Sequence, residues 1–218
     1  MPLPSGKPGR NCPRCPRLAA FRDTWRAKEP DWFNAPVPSF GTGDARLLIV
    51  GLAPGLQGAN RTGRPFTGDY AGVLLYATLG EFGFAQGTFD ARIDDGLTLT
   101  DCRITNAVRC VPPENKPTTV EIATCRDFLK TTIAEMTRLR AIVALGAIAH
   151  ASVLTAFAAR KSAMPFKHGG KNILPHDGSG EIALFSSYHC SRYNTNTGVL
   201  TTDMFRDVFA KVRGYLDS

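Results

Sequence analysis

A short apolar run, Arg46-Leu47-Leu48-Ile49-Val50, leads straight into GLAPGLQGANRTGRPFTGD, Gly51 to Asp69. Its four consecutive apolar residues, Leu47 to Val50, bounded by a glycine, read as a buried β-strand. The segment after it holds five glycines and two prolines. Glycine lets the backbone approach a ligand closely or take a positive φ, and proline fixes the path between such points. The same segment carries Asn60, Arg61, Arg64, Phe66 and Asp69, which supply an amide, two cations, an aromatic plate and a carboxylate. In an open α/β sheet, ligands sit in the crevice beyond the carboxyl ends of strands. The bland alternative is a long surface loop rich in turn residues. Neither Gly-Lys-Ser/Thr nor G-x-G-x-x-G occurs in it, so Walker-type and dinucleotide phosphate cradles are excluded here.

The rest of the chain repeats the alternation of strand and helix. Residues 71–84 show apolar spacing through Val73, Leu74, Tyr76, Ala77 and Leu79 that predicts a helix on the sheet. Asp101 to Asn106 predicts a second strand. Thr118 and Thr119 ahead of Glu121 mark the start of a helix over 120–136. Arg140 to Leu145 predicts a third strand with a helix to Phe157, Glu181 to Ser187 a fourth, and residues 201–215 a closing helix. Residues 158–180 are basic and glycine-rich and are expected to form a mobile excursion. His168 and His176 lie there and are given no catalytic role. This order predicts an α/β domain on a parallel sheet. One such domain over residues 11–218, behind a flexible tail over 1–10, suits a chain of 218 residues that is 43% hydrophobic.

Charge and cysteine usage narrow the partners. A formal net charge of +7 favours an anionic partner, although many basic proteins bind no nucleic acid. The basic residues Arg61, Arg64, Lys116, Lys167, Lys171 and Arg192 fall in predicted loops, which suits phosphate contacts. No apolar run approaches about 18 residues, so no membrane span is predicted. The first ten residues lack the apolar middle of a secretory signal, and a cytoplasmic, nucleoid-associated location is expected. Six cysteines in such a chain read as metal ligands before disulfides. Cys12 and Cys15 form C-x2-C, and Cys110 and Cys125 offer a second pair, enough for an ion or a cluster. A zinc site and four buried small hydrophobes are the alternatives.

Three strand ends carry polar groups: the glycine-rich loop, Asn106, and His189 after the fourth strand. Parallel strands would raise all three on one side of the sheet. An asparagine offers donor and acceptor together to a base edge, and Phe66 can stack on a planar ring. A histidine can stabilise a leaving group as it becomes anionic, and Asp69 can orient water or support an oxocarbenium-like state. Together they describe a pocket for an extruded base whose glycosidic bond is cut. Singly, Asn106 could be a turn residue, Phe66 core, and Asp69 a helix N-cap.

GLAPGLQGANRTGRPFTGD, the four cysteines and HCSRYNTNTG resemble the bacterial and archaeal family 5 uracil-DNA glycosylases, from Cys12 to the last helix. Family 4 carries an acidic residue soon after the first strand; here Leu52-Ala53-Pro54 has no polar side chain, as family 5 does. The resemblance implies a three-layer α/β/α fold with a four-stranded parallel sheet and a [4Fe–4S] cluster on Cys12, Cys15, Cys110 and Cys125. It implies monofunctional hydrolysis of uracil, and often hypoxanthine, xanthine and some damaged pyrimidines, from double- or single-stranded DNA. Asp69, Asn106 and His189 match its catalytic positions. Phe66 matches the stacking ring, with the backbone of Gly51, Leu52 and Ala53 beside the base. Asn60, Arg61, Arg64, Ser191, Arg192 and Asn194 are expected on DNA, and a monomer suffices. Two departures stand out: His189-Cys190-Ser191 replaces His-Pro-Ser, which could loosen the loop, and Gln57 replaces a common histidine. A metal-stapled DNA-binding protein without glycosylase activity and an electron carrier are the competing readings. The latter lacks the tight cysteine run of small ferredoxins.

Overall fold

The computed structural model describes residues 7–176 and 180–218. Its centre is built from four strands whose residues alternate between two cores. These are β2 (Leu47–Gly51), β5 (Cys102–Asn106), β6 (Ala141–Leu145) and β8 (Gly180–Ser187). Leu47, Ile49, Val143 and Phe185 point into one core; Leu48, Val50, Ile142 and Leu184 point into the other. Successive strand side chains face opposite ways, so a strand buried on both faces must be apolar throughout. That is what the continuous run of residues 47–50 encoded.

All neighbouring pairs among these four strands are parallel, in the order β5-β2-β6-β8. Two antiparallel edge strands flank them, β1 (Phe40–Gly41) on β5 and β7 (Lys171–His176) on β8. The four-stranded parallel expectation therefore describes the core of a sheet with six strands among the described residues. β7 also corrects the reading of residues 158–180 as an excursion. Its backbone is committed to β8 from Lys171 to His176, and Lys171 lies over the ring of Tyr215 at 4.8 Å. A short hairpin, β3 (Ala85–Gln86) with β4 (Thr98–Leu99), was not expected. Of the tail expected over residues 1–10, residues 1–6 lie outside the described residues.

Helices cover both faces. Residues of α3 (Tyr70–Glu81) and α7 (Thr202–Asp217) pack into the first core, those of α4 (Thr119–Ala134) and α5 (Ala147–Ala156) into the second. On α3 the inward residues are Ala71, Leu75, Tyr76 and Leu79, while Val73 is exposed. Because α3 follows β2 and α5 follows its neighbour β6 on opposite faces, a crevice opens at the carboxyl ends of those strands. The start of α4 is set by a capping box: Thr118 Oγ1 accepts from Glu121 N–H, and Thr118 N–H donates to Glu121 Oε2 at 2.7 Å. Arg17 of α1 (Pro16–Lys28) grips the same carboxylate through Nε and Nη2, at 2.8 and 2.7 Å. The N-terminal segment is thereby docked on the start of α4.

Arg64 is the clearest correction to the sequence reading. It was expected on DNA, but its side chain is 2% exposed and forms a bidentate pair with Asp95, at 2.8 and 2.6 Å. Its Nε donates to Thr67 Oγ1, and the rings of Phe40, Tyr76 and Phe89 surround the guanidinium. Asp95 is held well below the usual carboxylate range, chiefly by its hydrogen bonds to Arg64. A depressed carboxylate contributes its full stability above the ordinary carboxylate pKa and loses it as pH falls. Breaking one side of a buried pair leaves an uncompensated charge, at a cost of about 3–5 kcal/mol. Urea unfolding of Arg64→Met and Asp95→Asn should each show a loss of that order at pH 7, narrowing for Arg64→Met in acid.

Candidate active site

The loops beyond β2, β5, β6 and β8 enclose a cleft of about 710 Å³, lined among others by Leu52, Ala53, Phe66, Asp69, Asn106 and His189. Its floor depends on a missing side chain. A Cβ on Gly51 would meet Asn106 Oδ1 and lie 2.7 Å from Phe66 Cζ. Glycine at the end of β2 therefore lets the amide of β5 and the ring of the loop converge over the same backbone atom. Phe66 sits at φ 53°, a left-handed conformation that costs a non-glycine residue on the order of 1–3 kcal/mol. Neighbours on both sides impose it: Arg64 is clamped by Asp95, and Tyr76 donates its hydroxyl to Pro65 O at 2.6 Å.

Asn106 is 3% exposed, and its side-chain amide makes no hydrogen bond among the described residues. What exposure it keeps is towards the cleft, where a ligand can pair with it. His189 stacks on Phe66, centroids 5.9 Å apart and planes 29° from parallel. Burial lowers its pKa below 6.5, so the imidazole is neutral at pH 7, with one N–H to donate.

Asp69 holds two positions at once. It is the N-cap of α3, its Oδ1 accepting from Gly72 N–H at 3.3 Å, which the sequence allowed as the structural alternative. Its other oxygen faces the loop, where a Cβ on Gly58 would come within 2.5 Å of Oδ2. Burial raises the carboxyl pKa above 3.8, and the amides of Gly72 and Ala71 partly oppose that. A carboxylate so placed is a better proton acceptor than one in free solution.

The residues expected on DNA separate into two groups. Arg192 is exposed on the rim over the ring of Tyr70 at 5.2 Å, and Arg61 is exposed too. Ser191 lines the cleft while capping α6 (Arg192–Asn196), and Asn194 Nδ2 donates to His189 O at 2.8 Å. These two shape the loop that presents His189. Asn60 is a correction. It is buried, donating to Asn34 Oδ1 at 2.8 Å, while Asn34 donates to the carbonyls of Trp25 and Glu29. The pair ties the glycine-rich loop to the end of α1. Cys190 is buried, with Sγ donating to Ala71 O at 3.4 Å. Gln57 lies exposed on the rim.

Sequence reasoning missed Asn115, Tyr70 and the Gly146–Ala149 turn, all of which line the cleft. Asn115 has a positive φ, 57°, as does Glu114 before it, so the loop after β5 is bent towards the cleft. The available signal was positional. The rule that picked the loop after β2 applies equally to the loops after β5 and β6.

The thiols form a separate centre. Cys12, Cys15, Cys110 and Cys125 line one small pocket with Leu18, Val108 and Phe128. Burial, with a smaller contribution from the neighbouring thiols, pushes the Cys110 thiol up to about 12 and Cys125 to about 11.

With this geometry in place, comparison with known proteins is informative. A family model described as the uracil DNA glycosylase superfamily matches residues 38–213. The chain is 44% identical over 208 residues to a type-5 uracil-DNA glycosylase of Thermus thermophilus, covering 93% of this chain and 92% of that one. It is 38% identical over 205 residues to one of Pyrobaculum aerophilum, covering 92% and 87%. A third, of Mycobacterium bovis, is 40% identical over 211 residues, covering 93% and 77%.

The opposed shifts of Asp69 and His189 can be measured directly. NMR titration of the labelled carboxyl and imidazole should place Asp69 above 3.8 and His189 below 6.5. Ordinary values for both would remove the electrostatic basis for their roles.

Proposed function

This chain belongs to the uracil DNA glycosylase superfamily, and from that premise we propose that it excises uracil from DNA by hydrolysis, leaving an abasic site. The observation that carries the reading is the convergence of Phe66, Asn106 and His189 around Gly51, with Asp69 at the same cleft. A flipped base leaves the stack at a cost of a few kcal/mol, least when it is mispaired. It stacks on Phe66 and takes both hydrogen bonds of the Asn106 amide, a carbonyl accepting from Nδ2–H and the adjacent ring N–H donating to Oδ1. Hypoxanthine and xanthine present the same carbonyl beside a ring N–H. The cleft volume of about 710 Å³ accommodates a purine, so the substrate range extends to these deaminated bases.

As the C1′–N bond breaks, its electron pair goes to the base. Neutral His189 donates an N–H to the carbonyl where that charge gathers. Water adds to the oxocarbenium-like C1′ and loses its proton towards Asp69, releasing free base and an abasic sugar. Arg61 and Arg192 on the rim supply phosphate contacts, so binding weakens as salt rises. The protein acts as a monomer on double- or single-stranded DNA.

The four cysteines hold a [4Fe–4S] cluster in this reading. All four donors are thiols on one pocket, a set that suits iron–sulfur ligation. A lone zinc would draw on the same four sulfurs. Bound there, the cluster cross-links the N-terminal segment to the loop between β5 and α4.

A uracil-containing duplex incubated with the protein and then cleaved with alkali at abasic sites tests the reaction. Wild type should cut it, and Asp69→Asn should be roughly 10²–10⁴-fold slower while still binding DNA. Equal rates would move the burden to His189 and Asn106; no cutting of uracil, hypoxanthine or xanthine duplexes would sink the reading. Activity should fall with decreasing pH at a point above the free-carboxylate value of 3.8, because the raised pKa protonates Asp69 earlier. Loss of iron together with folding or solubility is expected for Cys125→Ser; a soluble, fully active, iron-free variant would refute the staple.

A further inference from the structure

Buried arginines normally sit against carboxylates, as Arg64 does against Asp95. Two others do not. Arg109 is 1% exposed and forms no ion pair among the described residues; its Nη1 and Nη2 donate to the hydroxyls of Ser39 and Thr132, at 2.9 and 2.8 Å, and the carboxylate that acts on it, Glu135, is exposed to solvent. Arg22 is 4% exposed, and its ion pair among the described residues is with Asp23 at 3.5 Å, a side chain 61% exposed to solvent. In both residues the buried Nε has no hydrogen-bond partner. A guanidinium taken out of water without a matched anion is costly, so the placement calls for a negative charge nearby.

Both belong to the surroundings of the cysteine pocket. Arg22 Nη1 donates to Cys12 O at 3.0 Å, and its charge acts on Cys110. Arg109 lines the pocket and adjoins Cys110 in sequence; its backbone N–H points at Cys125 Sγ at 3.3 Å, and its charge acts on that sulfur. Arg14, also on the pocket, is already matched by Asp127 at 3.1 Å. A [4Fe–4S] core in its usual resting state, held by four thiolates, carries roughly two net negative charges. Two buried cations without buried carboxylate partners belong to its surroundings, Arg22 of α1 and Arg109 just after β5.

We propose that Arg22 and Arg109 are the built-in counter-charges of the cysteine-held cluster, neutralising its resting state and setting its reduction potential. The inference rests on the cluster reading above. Positive charge beside a cluster favours the more reduced, more anionic state. Removing one cation should therefore lower the potential and ease oxidative loss of iron.

The test compares the intact protein with Arg22→Met, Arg22→Lys, Arg109→Met and Arg109→Lys. Iron and sulfide are measured first, then the potential by redox titration followed by EPR, then bleaching of visible absorbance under ferricyanide. The methionine variants should retain iron as purified anaerobically, titrate at lower potential and bleach several-fold faster. The lysine variants should stay near wild type, since they keep the charge. Methionine variants at the wild-type potential, or lysine variants displaced as far as methionine ones, would overturn the counter-charge role. Should Arg109→Met fail to fold, the Arg22 pair decides by the same criteria. A wild-type protein free of iron would overturn the cluster reading itself, a result distinct from a loaded protein indifferent to the substitutions.

Discussion

Everything at the cleft depends on one close approach, that of the β2 backbone at Gly51 to Asn106 and Phe66. Any Cβ there would occupy the space of the amide oxygen and the ring edge. The three residues lie far apart in the chain, and their meeting requires β2 and β5 to pair in register, Gly51 opposite Asn106. A slip of one residue would turn every side chain of the strand to the opposite core. The hydrophobic patterning that sets this register thus also sets the position of the Asn106 amide.

The loop that brings Phe66 into place is held by polar contacts inside the protein. Arg64 with Asp95 anchors it beside the hairpin, and Asn60 with Asn34 anchors it to the end of α1. Asp69 ends it by capping α3. With both flanks fixed, Phe66 is held in its left-handed conformation and its ring stays against His189. Such a loop keeps the site formed before a ligand arrives, which spares binding the entropy of ordering it.

Much of this was legible beforehand. The four core strands, the helices between them and the start of α4 at Thr118 follow from apolar runs and capping residues, which act locally. Edge strand β7 was hidden because Lys171 to His176 includes a proline and two basic residues, and it pairs along one side only. Arg64 and Asn60 were misplaced for another reason. A cation and an amide in a glycine-rich loop are chemically suited to phosphate, and nothing local reveals that Asp95 and Asn34 will meet them first. Arg61, a few residues away with no such partner, remains at the surface.

The sequence by itself determined the alternation of strand and helix, the two-faced burial of the sheet, the pairing of cysteines and the identity of the groups at the strand ends. These depend on residue type and short-range spacing. Only the tertiary structure decided which polar groups face the cleft and which are consumed inside. It turned Asn115 towards the cleft, made Asp69 both cap and cleft carboxylate, and left Arg22 and Arg109 near the thiols without buried carboxylate partners. Those outcomes depend on distances between segments remote in the chain, and burial then sets what each group can do: Asn106 open to a ligand, His189 neutral, Asp69 ready to accept a proton.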